Sequence, residues 1–270
     1  MHASNLNRSF DALQSKCETG KSALLTGTGY VVYISENGYD GEMSAAGLDE
    51  KKQHMMLKYE RAFWAEQPYG VLAGVDEAGR GCLAGPVVAG AVTMPHELAE
   101  RLYAGELAGL TDSKQLSAVR REAYFKILGN TPGVVTSTGW CSAREVDRFN
   151  ILVATHMAMR RAVEGLEKKA EYVLVDGLPV KSLPCPSMSI VQGDAKSFLI
   201  AAASVMAKVS RDHFMLKLDA RYPQYGFAAN KGYGVHDHVA ALFKHGSCPE
   251  HRHTFRPVQD ADQKLPGFDY

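Results

Sequence analysis

A mixed α/β sheet flanked by helices, with a helical C-terminal segment, is the fold class this sequence predicts, and three observations predict it. Two apolar, β-rich runs stand on either side of a turn, Tyr69-Gly70-Val71-Leu72-Ala73-Gly74-Val75 and Pro86-Val87-Val88-Ala89-Gly90-Ala91-Val92. A helical stretch, Asn150 to Lys168, leads into a short, wholly apolar strand, Tyr172-Val173-Leu174-Val175. That succession marks a βαβ unit whose strands are covered on both faces. Beyond it an apolar helix from Lys196 to Leu218 and a shorter one from His236 to Lys244 put helices around and after the sheet.

The elements follow in order. Residues 1–55 are rich in Ser, Gly and Asn and hold one strand-like stretch, Tyr30 to Ile34, closed by the turn signal Ser35-Glu36-Asn37-Gly38. A charged helical stretch, Leu57 to Glu66, precedes the hairpin formed by the two apolar runs. Asp112-Ser113 is placed to cap a helix from Lys114 to Leu128; Thr131-Pro132-Gly133 stops it, and Val134 to Trp140 reads as a third strand. The Asn150–Lys168 helix carries basic residues near its end, as the helix dipole favours. Ser189-Ile190-Val191 is a fifth strand, and Gly193-Asp194 opens the Lys196–Leu218 helix. An aromatic, Gly-rich loop over 222–234 and an irregular tail complete the chain.

At 270 residues the chain suffices for one large domain or two small ones. Formal net charge is zero, so bulk composition carries no polyanion-binding signature. Distribution says more: residues 196–256 hold 9 Lys/Arg against 4 Asp/Glu, with six of the ten histidines, a bias that fits a nucleic-acid face or a merely solvated one. The five cysteines (Cys17, Cys82, Cys141, Cys185, Cys248) are scattered and odd in number, as reduced thiols of a cytoplasmic protein are. The longest apolar run, Phe198 to Val209, is interrupted by Ser204 and Lys208 and is too short to span a bilayer. Gly20-Lys21-Ser22 lacks the glycine a P-loop needs five positions earlier, where Ser15 stands.

The most informative segment is Gly74-Val75-Asp76-Glu77-Ala78-Gly79-Arg80-Gly81. On a regular strand Asp76 and Glu77 point to opposite faces, so both reach one site only if the strand breaks there. Gly79 and Gly81 make a break easy, and bare backbone N–H groups beside Arg80 suit an anionic ligand. Asp176 likewise ends a predicted strand, and Asp194 stands at the mouth of a helix, where a plain capping role is the simpler reading for it taken alone. In open α/β sheets residues beyond the strand ends converge. Carboxylates gathered so repel one another unless a divalent metal joins them, and all-oxygen ligation suits Mg²⁺ or Mn²⁺.

These residues resemble bacterial ribonuclease HII. The blocks that carry the resemblance are Tyr59-Glu60-Arg61, Ala73 to Gly81, Asp112-Ser113-Lys114-Gln115-Leu116, Val175-Asp176-Gly177, Gly193-Asp194, Ala201 to Val209, Asn230-Lys231-Gly232-Tyr233-Gly234 and His251-Arg252-His253-Thr254-Phe255. They run in register over about residues 58–258. The resemblance implies an RNase H-like sheet and an endoribonuclease that hydrolyses the RNA strand of RNA/DNA hybrids and nicks at single ribonucleotides in duplex DNA. It implies a two-metal-ion hydrolysis, with Mn²⁺ or Mg²⁺, leaving a 3′-hydroxyl and a 5′-phosphate. Asp76, Glu77, Asp176 and Asp194 are then the catalytic, metal-holding acids. Gly79, Arg80 and Gly81 grip the backbone around the ribonucleotide and sense its 2′-hydroxyl, Tyr233 packs on the following deoxyribose, and Lys114 and Lys231 contact phosphate.

The implied organisation is an N-terminal extension over 1–57, poorly ordered or a mis-set start at Met43, Met55 or Met56, then a catalytic domain over 58–258 and a tail over 259–270. A monomer acting on RNA/DNA hybrid and ribonucleotide-containing duplex, away from membranes, is expected. Cys82 stands where the family often has proline, and residues 1–57 are too short for the N-terminal domain of the related ribonuclease HIII. Two other functions remain to be separated by substrate, a junction-resolving or strand-transferring nuclease and a silent nucleic-acid-binding module. Cys248, His251 and His253 with His236 and His238 form a poor zinc pattern, read instead as a basic tail or as substrate-facing histidines. The stretch around His156, Met157 and Met159 reads as core.

Overall fold

In the computed structural model, which describes residues 22–25, 31–34, 56–111 and 116–263, the chain divides into two units, Met1–Lys52 and Gln53–Tyr270. The first holds an antiparallel pair, β1 (Ser22–Leu25) and β2 (Val31–Ile34), with Ser22 opposite Ile34. β2 is the strand expected at Tyr30–Ile34; β1 was not expected. The P-loop-like Gly20-Lys21 and the alternative start residues Met43 and Met55 lie outside the described residues.

The second unit is built on a five-stranded sheet of order β5-β4-β3-β6-β7. Its strands are β3 (Leu72–Ala78), β4 (Val87–Thr93), β5 (Val135–Cys141), β6 (Tyr172–Asp176) and β7 (Ser187–Ile190). β3, β4 and β5 pair antiparallel, whereas β6 runs parallel to β3 and β7 parallel to β6. All seven residues of β4 are buried, which is why its sequence lacks alternation: it is covered on both faces.

One face is covered by α5 (Ile151–Glu164), whose Ala154, Ala158 and Ala162 pack with Ala73, Val75, Val87, Ala89 and Ala91. The other is covered by α6 (Phe198–Arg221). Strand alternation places Gly74 and Gly90 on the α6 side, and each touches helix backbone. A Cβ on Gly74 would sit 2.2 Å from Leu199 C, and one on Gly90 would sit 2.4 Å from Ala203 O. Gly139 of β5 stands in the same relation to α5, 2.2 Å from Ala158 O. The helices therefore lie directly on the strands. Met159 is buried in this core and Met157 packs against it, as read from the sequence.

Several boundaries differ from expectation. The helix expected from Lys114 is α3 (Ala118–Asn130), capped by Ser117 accepting from Arg120 N–H; Asp112 and Ser113 lie outside the described residues. The stretch expected as one helix from Asn150 is preceded by α4 (Ala143–Phe149), which Ser142 and Glu145 open with a capping box. Asn150, at φ +66°, breaks the path between them and caps α5, which ends at Glu164 rather than Lys168. Gly193-Asp194 does not open α6: Gly193–Ala195 is a separate 3₁₀ turn, and Ser197 caps the helix.

Further elements were not anticipated. α1 (Lys58–Glu66) is the expected charged helix, but α2 (His96–Ala104) is new. The loop over 222–234 contains a 3₁₀ turn, Pro223–Tyr225, and the one-turn α7 (Phe227–Asn230). After α8 (His236–His245) the segment expected to be irregular forms α9 (Arg256–Asp262), which buries Val258 and Ala261.

Candidate active site

The sheet sets out the acids. Asp76 lies on the α6 side of β3, 5% exposed, and Glu77 follows on the same strand. The expected break in the strand is absent: β3 stays paired with β4 as far as Ala78 opposite Val88. What ends is its other neighbour, since pairing with β6 stops at Val75 opposite Val175. Past that point the Glu77 N–H donates to Asp76 Oδ1 at 2.7 Å. Both carboxylates can then reach into the gap beyond the end of β6, where Asp176 stands. Carboxylate oxygens of Asp76, Glu77 and Asp176 lie within 4.8 Å of one another.

Neighbouring groups hold these acids in place. Asp176 Oδ1 accepts from Gly193 N–H at 2.6 Å, which ties the 3₁₀ turn to the site. Ser204 of α6 donates to Asp76. Arg80 Nη1 reaches Glu77 Oε1 at 3.1 Å, but its side chain is 53% exposed and screened by solvent. Burial, together with the charges of Glu77 and Asp176, pushes the Asp76 carboxyl well above the usual carboxylate range, against those hydrogen bonds. A cluster of hard oxygen donors with excess negative charge fits a divalent cation such as Mg²⁺ or Mn²⁺. Asp194, buried on the adjacent turn, is outside the three-acid cluster.

The turn after β3 is fixed at Gly79 and open at Gly81. Gly79 has φ +91°, and a Cβ there would fall 2.0 Å from Arg211 Nε, so only glycine fits. Arg80 is exposed, and a Cβ on Gly81 would meet nothing within 4 Å. Tyr233 is 41% exposed, with Lys208 Nζ 5.6 Å and the Arg211 guanidinium 5.8 Å from its ring centre. Its hydroxyl is hydrogen-bonded to Cys82, directly after the turn. Lys231 Nζ donates to the carbonyl of Ala228 in its own loop, and Lys114 lies outside the described residues.

The histidines correct the sequence reading. His238 and His251 are fully buried, neither tail nor substrate-facing, and their Nε2 atoms are 3.1 Å apart. Cys248 N–H donates to His251 Nδ1, and His238 Nδ1 donates to the Tyr233 carbonyl. His251 Nε2 therefore carries the proton shared with His238. Their ring nitrogens are engaged, and the zinc reading fails: among the described residues the acid cluster is the one group of three or more His, Cys, Asp or Glu able to hold a metal. Cys82, Cys141, Cys185 and Cys248 are free thiols. No described helix is long and apolar enough to cross a membrane.

Sequence reasoning gave no role to Ser204, Arg211, Arg252, or the buried Glu60, although all but Arg211 fall in the blocks quoted for the resemblance. Arg211 and Arg252 are wholly buried, and their guanidinium groups bond backbone carbonyls. The spacing of such residues carries no signal that they point inward.

The ribonuclease HII family model matches residues 73–258. The ribonuclease HII of Desulfitobacterium hafniense is 44% identical over 221 residues, covering 82% of each protein. That of Albidiferax ferrireducens is 50% identical over 191 residues, 71% of this chain and 88% of the relative. The crystal structure of ribonuclease H2 from Pyrococcus horikoshii superposes with a TM-score of 0.59 at 25% identity, covering 71% of this chain and 97% of that one. With an acid cluster at the strand ends and these matches across the catalytic sheet and the helices after it, the chain belongs to the ribonuclease HII family.

Proposed function

We propose that this ribonuclease H nicks at single ribonucleotides in duplex DNA as well as cutting the RNA strand of RNA/DNA hybrids, by two-metal-ion hydrolysis that leaves a 3′-hydroxyl and a 5′-phosphate. Family membership carries the coarser part: a divalent-metal-dependent nuclease acting on RNA/DNA substrates. The observation that carries the finer part is the acid cluster lying next to an open Gly79-Arg80-Gly81 turn, which is tied in turn to Tyr233.

Asp76, Glu77 and Asp176 would hold the metal, with Asp194 completing the set from the neighbouring turn. Divalent cations, Mg²⁺ or Mn²⁺, supply Lewis-acid activation of water and stabilise the leaving oxygen. The protein's own groups do the rest. The Ser204 hydroxyl and the Glu77 N–H orient the Asp76 carboxylate, and Gly193 N–H orients Asp176. The exposed Arg80 side chain and the unobstructed backbone at Gly81 face the ribonucleotide, where a donor or acceptor distinguishes a 2′-hydroxyl from a hydrogen. Tyr233 offers a ring for the next sugar, and Lys114 and Lys231 are the expected phosphate contacts. The exposed basic side chains of segment 196–256, such as Lys217, Arg221 and Lys244, would follow the duplex, the protein acting as a monomer in the cytoplasm.

The test is cleavage of a duplex containing one ribonucleotide, an all-DNA copy and a long hybrid, with each metal. Cleavage of the all-DNA copy would favour a junction-resolving nuclease. Asp76→Asn and Asp176→Asn should each lose cleavage while keeping duplex binding; near wild-type turnover in either would remove the metal-site assignment.

A further inference from the structure

Two arginines with no exposed surface stand behind the turn and the Tyr233 loop, and among the described residues neither forms an ion pair with a carboxylate. Arg252 directs its guanidinium at the turn itself: Nη2 donates to Gly79 O at 2.7 Å, Nη1 to Arg80 O at 2.8 Å, and Nε and Nη2 to Gly85 O at 3.1 and 3.0 Å. Arg211, on α6, donates through Nε to Pro86 O at 3.0 Å and through Nη2 to Ala84 O at 3.0 Å. Its Nη1 crosses to Lys231 O at 2.8 Å, and its guanidinium lies near the Tyr233 ring.

The Tyr233 loop is held at three successive carbonyls. Lys231 O accepts from Arg211, Gly232 O from Leu83 N–H at 2.8 Å, and Tyr233 O from His238 Nδ1 at 2.8 Å. The donors come from a helix, from the segment that follows the Gly79–Gly81 turn, and from α8. Residues 83–85 are bonded to this loop on one side and to 250–252 on the other, through Gly85 N–H to Glu250 O and Arg252 N–H to Leu83 O. The turn and the loop are thus joined by one hydrogen-bonded layer with the two guanidinium groups at its centre.

Stability alone does not call for this arrangement. Buried charges are costly, and apolar side chains of similar volume commonly serve a core better. A guanidinium is suited to the task because its planar fork binds several carbonyls at fixed angles, which a lysine ammonium does not do.

We propose that Arg252 and Arg211 are positioning residues that fix the separation between the Gly79–Gly81 turn and Tyr233, and that this separation sets the preference for an RNA–DNA junction over continuous hybrid. The proposal rests on the reading of the turn and Tyr233 as the two sugar-sensing elements. At a junction both must engage neighbouring nucleotides at once, whereas in a long hybrid many registers offer the turn a 2′-hydroxyl. Loosening the layer therefore penalises the junction substrate more than the hybrid.

The experiment compares wild type, Arg252→Lys and Arg211→Lys, each keeping its charge while losing the fork. Cleavage of a one-ribonucleotide duplex and of a long hybrid is measured as kcat and KM. Binding of the one-ribonucleotide and all-DNA duplexes is measured in chelator, and folding by thermal unfolding. The expected result is a loss of about tenfold in kcat/KM on the junction substrate, the size of one hydrogen bond, carried by KM. The hybrid should lose much less, and in chelator the tighter binding of the one-ribonucleotide duplex should shrink by a similar factor. Equal losses on both substrates, full activity with lysine, or unfolding of both variants would overturn the proposal. A wild-type enzyme that does not cut the one-ribonucleotide duplex would instead overturn the reading of the site beneath it.

Discussion

Gly74→Ala is the sharpest test of how the sheet and α6 create the site. The new methyl carbon would lie 2.2 Å from Leu199 C, 2.4 Å from Leu199 O and 2.5 Å from Ile200 N. Ordinary carbon contacts begin near 3.5 Å, so the helix must retreat by about 1 Å. The obstacle is helix backbone, and the N-terminus of α6 is held by its Ser197 cap and by Glu60, whose Oε1 accepts from Ser197 Oγ at 2.6 Å and Leu199 N–H at 3.0 Å. Overpacking of this kind costs about 1–3 kcal/mol. The entropic gain of replacing glycine, about 0.4–1 kcal/mol, does not offset it. Ser204 rides on the same helix and donates to Asp76, two residues beyond Gly74 on the same face, so turnover should fall along with stability. Urea unfolding and kcat on a hybrid substrate measure the two effects. Gly90→Ala meets Ala203 O at 2.4 Å and Ala207 N at 2.8 Å; combined with Gly74→Ala it should be less than additive, because one movement of α6 relieves both. The control is Gly129→Ala in α3, where a Cβ meets nothing within 4 Å. It should stabilise by about 0.5–1 kcal/mol. An unchanged urea midpoint and kcat in Gly74→Ala would refute the close-approach argument.

Two titrations follow from the buried groups. Burial, and then the neighbouring His238, hold the His251 imidazole down at about 4, with Tyr225, Phe227, Cys248, His253 and Asp262 around the pair. Its folded value lies below the unfolded 6.5, so its contribution is fully present above that pH and is lost as pH falls through about 4. The loss amounts to about 3 kcal/mol, and His251→Asn should flatten the pH dependence of the urea midpoint between pH 7 and 4.5. Glu60 carries the opposite sign: burial lifts its carboxyl to about 7, against bonds from Ser197 and Leu199, and Oε2 has no hydrogen-bond partner among the described residues. Stability then falls as pH rises from 4.5 through about 7, so Glu60→Gln should gain about 1–3 kcal/mol relative to wild type between pH 5 and pH 8. A stability difference that is the same at both pH values would refute this assignment.

The acid cluster was legible because strand ends are marked in sequence by where apolar runs stop. Asp76, Glu77 and Asp176 each follow such a run, and the three meet as that rule implies. The expected strand break was unnecessary, because the open space comes from the shorter neighbour β6, a property of pairing that no single segment records. α4 was missed, although the helix expected from Asn150 starts where α5 does; Asn150, at a positive φ, divides two helical stretches that run almost end to end. α2 starts after Pro95 with no side-chain cap, which leaves its boundary without the usual signal. Charge was the most misleading guide. Arg211 and Arg252 counted toward the basic bias of 196–256, yet both are inside the protein, as are His238 and His251. Burial of a polar side chain depends on partners more than a hundred residues away, such as Gly79 for Arg252, and local pattern does not contain them.

The hydrogen-bonded layer around residues 83–85 also dictates an order of assembly. The sheet comes from β3 through β7 and its clustered acids from β3 and β6, whereas the Gly79–Gly81 turn is secured by an arginine 172 and 173 positions further along the chain. Contacts of such long range are costly in loop closure and form late. During synthesis the acids emerge before the turn has its support, and the residues from Glu250 onward supply the bonds that hold the turn in place. A chain ending before Glu250 would keep the first and lack the second, so that C-terminal truncation should cost substrate discrimination before it costs the acid cluster.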